Sequence, residues 1–300
     1  MLRESMISLR PAPAHDDDSW EMDSDTEHND SSHHDAWNVL KDEYASEQGM
    51  LPFRILGTSV DDADSHPHVL SPPLMESLQN FVPYGISEDN YWMKYSLLRD
   101  GASMHTLLQY VRGAKHTILA IETSTGEVFG SFTSEPWRKN WNFFGTGESF
   151  LWRMRQSRTT PCYSVIDQAQ LESELDVYPW TGDNNCVQMC TSDKLAVGGG
   201  EEEEGGGGGV AGGSAAKWDK RDDGYERPVY GFGLALERNL LHGTSTHCAT
   251  FGSPPLSREH PDGSPFEILN LEVWTFTPCR TLQAAEKLEL GKLFLQSNSQ

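Results

Sequence analysis

Apolar residues along this chain change their spacing, and the changes divide it into a helical stretch, a strand-rich stretch and flanks without a period. After Pro72 and Pro73, Leu74, Leu78 and Phe81 recur at helical spacing, and the two prolines suit a helix start. Ser103 can cap a second helix running to Arg112. Its Met104, Leu107, Leu108 and Val111 make one apolar stripe, and Gly113 ends it. From His116 the period shortens: HTILAIETSTGEVFGSFTSE clusters β-branched and aromatic residues around Ser124, Thr125 and Gly126, the pattern of a β-hairpin. Further strands are expected at 149–154, 186–190, 194–197, 230–236 and 267–276, separated by Gly, Pro, Asn and Asp. Short strands that do not alternate with long helices predict an α+β, β-rich fold: two antiparallel sheets in a sandwich flanked by short helices.

The flanks belong to a different physical regime. Residues 1–70 carry 16 acidic against four basic side chains, more than half of the formal charge of −22. The stretch 16–35, DDDSWEMDSDTEHNDSSHHD, has too few aliphatic residues to offset the entropy of ordering. Residues 1–70 are therefore expected to be a disordered acidic leader that acts as a solubilising tail, or alternatively as an acidic or phosphorylated docking segment. The folded domain is expected over 71–277, interrupted by a flexible Gly/Glu-rich insertion at 198–228 and followed by a tail, 278–300. In that tail AAEKLELGKLFL fits a short amphipathic helix. Such an insertion costs little, because each doubling of loop length adds only about 0.6 kcal/mol of closure entropy.

Charge and cysteine usage narrow the function classes. A strongly acidic chain lacks the bulk positive footprint that nucleic acid or anionic lipid requires, so neither is an expected partner. No stretch approaches 18 consecutive apolar residues, so no membrane insertion is expected. Five cysteines in an irregular, odd set suit a reducing compartment, and the expected location is cytoplasmic. A mitochondrial location is the alternative, since Arg3 and Arg10 lie among apolar residues, although Glu4 interrupts them.

Motifs for catalysis, cofactors or metals are missing from the sequence. The glycine runs lack a following Gly-Lys-Ser/Thr, Gly145 to Ser149 lacks dinucleotide spacing, and Cys186 with Cys190 has no second Cys or His pair. Three carboxylates stand out by their aromatic neighbours: Glu135 in SEPWR, Glu148 in GESFLW and Glu272 in NLEVWTF. Two of them in one cleft would allow acid/base hydrolysis; the ordinary reading is that each accepts hydrogen bonds and fixes a loop. Cys248, next to a turn and two histidines, is a candidate redox thiol.

Taken in order, YSLLRDGASMHTLLQYV, GEVFGSFTSEPWR, FFGTGESFLW, LAVGGG, YGFGLALERNLLHGTSTHCATFGSPPLS and FEILNLEVWTF resemble the successive blocks of the TLDc family. The expanded glycine loop departs from that pattern. Within the blocks, Arg99 and Asp100 are expected to anchor the start of the Ser103 helix, and Gly130 to permit close backbone approach. Gly145 and Gly147 should shape a turn that projects Glu148, and Gly231 and Gly233 should be bulge or corner residues. Trp274 should be buried in the last strand. The resemblance implies a β-sandwich flanked by helices, a role in oxidative-stress resistance, and binding to the peripheral sector of the vacuolar proton-pumping ATPase. It implies no catalysis. Glu135, Trp137, Glu148 and Glu272 are the candidate contacts with such a protein partner.

Overall fold

The computed structural model describes residues 51–58, 68–200, 219–220, 226–227 and 231–297. The leader through residue 50, residues 59–67 and most of the insertion lie outside the described residues, so the expectations for those stretches do too.

The hairpin read from the sequence is present as β3 (Thr117–Thr123) and β4 (Val128–Thr133), in register from Thr117 with Thr133 to Glu122 with Val128. Every residue of both strands is buried, because each face of the hairpin meets its own core. Leu119, Ile121 and Phe129 enter one cluster, while Ile118, Ala120, Val128 and Phe132 enter a second on the opposite face. That is why TILAI reads as a continuous apolar run and not as an alternation. Gly130 sits where the strands are closest: a Cβ there would lie 1.8 Å from the Leu119 carbonyl oxygen.

Around this hairpin the chain builds one 12-stranded sheet, antiparallel except where the short β1 (Ile55–Leu56) runs parallel to β2 (Asn90–Ser96). One half orders β1, β2, β14 (Pro265–Thr277), β3, β4, β6 (Phe150–Met154) and β7 (Leu175–Pro179). The other orders β5 (Asn140–Phe144), β8 (Gln188–Cys190), β9 (Lys194–Val197), β12 (Leu234–Glu237) and β13 (His242–Thr244), and joins the first at β14. A separate two-stranded ladder, β10 (Asp219–Lys220) with β11 (Glu226–Arg227), lies within the insertion. The expectation of an antiparallel, strand-rich fold holds. The two layers are halves of a continuous sheet, because 13-residue β14 pairs β3 along one edge while its other edge pairs first β13 and then β2. Register shifts at Ile268/Asn270 and Val273/Trp274 let the strand bend between its partners. The first cluster fills the space between the halves, drawing Leu195, Val197, Leu234 and Leu236 from one and Leu119, Leu151 and Val273 from the other.

Five α-helices flank the sheet among the described residues. α1 (Pro72–Gln79) carries Pro at its start and buries Leu74, Met75 and Leu78 in the second cluster. α2 (Leu97–Asp100) is a single turn after β2. α3 (Met104–Tyr110) is capped by Ser103, whose Oγ accepts the Thr106 N–H at 3.3 Å. Arg99 and Asp100 do not serve that helix. Asp100 accepts the Ser96 N–H at 2.9 Å, and Arg99 donates to the Gly57 carbonyl at 2.9 Å, tying the end of β2 to the segment after β1. Gly101, at φ +82°, breaks the path between the two helices. α4 (Val165–Ser173), absent from the sequence expectation, is capped by Ser164. α5 (Leu282–Ser297) is longer than the short helix expected in the tail. It docks through buried Ala285 and a 2.7 Å Lys94–Glu289 ion pair.

Packing also begins earlier than residue 71. Phe53, Val69 and Leu70 are buried in the second cluster, and residues 68–71 are held by buried charged groups. Arg158 forks onto Glu172 at 2.9 and 3.0 Å, reaches Glu122 at 2.8 Å and donates to the Val69 carbonyl at 2.6 Å. Ser71 Oγ donates to the same Glu172 at 3.0 Å. Each buried charge is thus paired and hydrogen-bonded, the condition under which burial is tolerable.

Candidate functional site

The chain leaves β4 at Thr133, crosses to the other half of the sheet as β5, and returns to pair beside β4 as β6. The two arms of this crossover are tied together where they meet. The Ser134 N–H donates to Ser149 Oγ at 3.3 Å, and the Ser134 hydroxyl contacts the hydroxyls of Thr146 and Ser149. On the returning arm the Ser149 N–H donates to the Thr146 carbonyl at 3.2 Å, and the Glu148 N–H to Thr146 Oγ1 at 3.4 Å. Gly145 has φ +113°, a backbone that side chains resist, and a Cβ on Gly147 would lie 2.2 Å from the Trp180 ring. These contacts lock the turn. Glu135 therefore follows the tied Ser134 on one arm, and Glu148 lies between the tied Thr146 and Ser149 on the other.

Glu148 is exposed. Glu135 is partly exposed and ion-pairs with Arg138 at 2.9 Å, while its carbonyl accepts from Gln188 at 3.3 Å. The Arg138 guanidinium lies 4.1 Å over the Phe144 ring, which fixes its position on an otherwise solvent-reaching arm. Next along, Trp141 on β5 is 67 % exposed, a large apolar surface turned to solvent. Beside the tie, His116 stacks on Phe132 at 6.1 Å. Burial and neighbouring Lys115 hold its imidazole below the ordinary range, and Glu148 pulls the other way.

Two of the expected contacts are corrected by burial. Trp137 is 6 % exposed: its indole N–H donates to Thr117 Oγ1 at 3.1 Å, and its ring meets Phe144 edge-on, so it roofs the core beneath the crossover. Glu272 is fully buried beneath residues 68–70, where it meets His68 Nδ1 at 3.0 Å and accepts the Leu70 N–H at 3.1 Å and the Trp274 indole N–H at 2.9 Å. Burial alone would raise its carboxyl, but the contact with His68 and these donors hold it below the usual carboxylate range. Its β-strand neighbours gave it an aromatic context in sequence; the fold turns that context inward. Glu272 is thereby removed from Glu135 and Glu148, and a groove of about 570 Å³ lined by Ser103, His105, Asp193, Glu237 and Arg238 contains none of the three.

The remaining sequence candidates are structural. Trp274 is fully buried, as its aromatic run suggested. Gly231 and Gly233 lie against the 245–248 segment, with the Gly231 N–H donating to the His247 carbonyl at 3.0 Å and Ser245 Oγ donating to the Gly233 carbonyl. They serve close approach in extended pairing, where bulge or corner positions were expected. Cys248 is 1 % exposed, and burial pushes its thiol up, away from the reactive thiolate. Among the described residues no group of three or more His, Cys, Asp or Glu side chains is placed to hold a metal ion. Arg138 and Trp141 were missed in the sequence. The signal available was KNWNFF, a tryptophan set between asparagines instead of apolar neighbours.

Comparison with known proteins fits this architecture. Oxidation resistance protein 1 of Podospora anserina is 29% identical over 252 residues, covering 74% of this chain and 64% of that protein. The protein of that name from Kluyveromyces lactis is 26% identical over 262 residues, covering 84% and 91%. The Rattus norvegicus protein is 30% identical over 209 residues, 69% of this chain but 19% of its own length. Thus this chain spans less than two thirds of the Podospora relative and about a fifth of the rat one. The TLDc domain matches residues 64–277, from just before the buried 68–71 segment to the last residue of β14, and the chain belongs to the TLDc family.

Proposed function

We propose that this chain acts in oxidative-stress resistance as a non-catalytic binding module in the cytoplasm, presenting the β4–β6 crossover to a protein partner. One observation carries the reading: a hydroxyl-tied, glycine-shaped turn holds Glu148 in solvent on a stiff support, with Arg138 and Trp141 exposed on the same crossover. A preorganised surface loses little entropy on binding, and Trp and Arg are the residue types that dominate binding energy at interfaces. The names of the relatives supply the oxidative-stress context, and the TLDc resemblance supplies the partner: the peripheral sector of the vacuolar proton-pumping ATPase. A binder shifts that assembly's equilibrium only by preferring one state, and a ligand at 100 times its Kd contributes about 2.7 kcal/mol.

Capture of the purified peripheral sector by the full chain tests this. Trp141→Ala is expected to cost about 2 kcal/mol, roughly thirtyfold in affinity, with Glu148→Ala weakening binding less. Retention of parental affinity by both variants removes the crossover from the role. The alternative, peroxide protection by Cys248 itself, is disfavoured by the burial of that thiol.

A further inference from the structure

On the edge formed by β6 and β7, away from the crossover, three arginines converge on one carboxylate. Asp176 accepts from Arg153 Nε at 3.2 Å, Arg155 Nε at 3.0 Å and an Arg258 terminal nitrogen at 3.1 Å. Arg258 also donates to the Arg155 carbonyl, and Arg153 to the Pro255 carbonyl at 2.9 Å, so two of the three guanidinium groups have a second anchor besides Asp176. Beneath them, the carboxylate of Glu127 accepts the Arg258 N–H at 2.6 Å and the Ser257 hydroxyl at 2.5 Å, which holds the loop that carries Arg258. Glu174, across from Arg155, and Glu259, after Arg258, form no ion pair with the three guanidinium groups. Arg155 is 57% exposed and Arg258 43%. In a chain of formal charge −22, this is a solvent-facing site gathered on Asp176, with donors to spare for a further carboxylate.

We infer that this arginine cluster docks an acidic peptide segment, and that the segment is the chain's own N-terminal stretch 16–35. Charge complementarity is one argument: DDDSWEMDSD places six carboxylates within ten residues. Reach is the other. β1 and β7 lie at opposite edges of the seven-strand half, six strand spacings apart, or about 29 Å. The 15 residues 36–50 that precede the first described residue can span up to about 50 Å. A tethered segment also acts at an effective concentration on the order of 1 mM, so even an affinity of that order occupies the cluster half of the time. Docking there leaves the crossover uncovered and would make the accessibility of this edge depend on salt.

The test is arginine footprinting of the full chain with phenylglyoxal, read by mass spectrometry. The parent is compared with a variant whose acidic run is neutralised: Asp16→Asn, Asp17→Asn, Asp18→Asn, Glu21→Gln, Asp23→Asn and Asp25→Asn. All six positions lie outside the described residues, matching melting curves establish that both proteins keep the same core, and Arg138 serves as the internal control. At low ionic strength Arg155 and Arg258 should react about twofold or more slowly in the parent, and 1 M salt should abolish the difference. Protection should not change with protein concentration. Equal rates in the two proteins at low salt overturn the inference. Protection that grows with concentration overturns it as well, since the acidic segment would then come from a second copy.

Discussion

Replacing Arg158 by methionine isolates the forces that hold the start of the domain onto the sheet. The side chain is 4 % exposed, and its guanidinium satisfies two buried glutamates and the Val69 carbonyl at distances of 2.6 to 3.0 Å. Burial alone would lower its pKa, but Glu172 and Glu122 outweigh that and raise it, so the group is charged throughout the accessible pH range. Methionine fills most of the volume and leaves both carboxylates without their counter-ion. Glu172 keeps only Ser71 Oγ and Gln168 Nε2, at 3.0 and 3.1 Å. Breaking a buried pair in this way costs about 3 to 5 kcal/mol. For a domain of this size that corresponds to a fall of about 6 to 20 °C in melting temperature, followed by circular dichroism or calorimetry. Hydrogen exchange should show the amides of Val69, Leu70 and Ser71 losing protection first. A triple variant, Arg158→Met with Glu122→Leu and Glu172→Leu, removes the stranded charges and should recover part of the loss. A single variant melting within about 3 °C of the parent refutes the reasoning. So does a triple variant less stable than the single one.

Three further outcomes follow from the same structure. Gly130→Ala places a methyl against the Leu119 carbonyl and should destabilise by about 1 to 3 kcal/mol or more, seen as a lower urea midpoint with unchanged slope. Native-state alkylation at neutral pH should spare Cys248 until denaturant is added, and Cys248→Ser should protect cells from peroxide as well as the parent does; rapid native labelling would restore the thiol hypothesis. Because the folded-state pKa of Glu272 is depressed, its stabilisation is complete above the ordinary glutamate range near 4.5 and is lost as pH falls through its folded value. Glu272→Gln should therefore be less stable than the parent at neutral pH, with the gap closing in acid. A gap constant down to pH 3 would contradict that assignment.

What was legible in the linear chain was local. Hydrophobic period located the β3–β4 hairpin, the Ser103-capped α3, and β6, β9, β12 and β14 to within a few residues. β2 was not legible, because Asn90 and Lys94 interrupt its apolar run; in the fold, Lys94 lies 3.7 Å over the Trp92 ring and pairs with Glu289, 195 residues away. β5 and β7 were missed for a related reason: an edge strand has only one neighbour, and half of its side chains carry no core pattern. α4 is short and buries Leu171 with the charged Glu172, which no apolar stripe announces.

For the site the division was sharper. The sequence by itself determined that a Gly-Thr-Gly turn would project Glu148, because glycine's freedom is a property of one residue. It also determined that the fold would be strand-rich and that Trp274 would be inside. Only the tertiary structure decided that Glu272 and Trp137 face inward while Arg138 and Trp141 face solvent, since exposure depends on which distant strand covers a given face. It also decided that Arg158 is a core residue and that Arg153, Arg155 and Arg258 share one aspartate. Charged side chains look alike in a sequence whether they are solvated or paired; the difference arises when residues a hundred positions apart are brought within 3 Å.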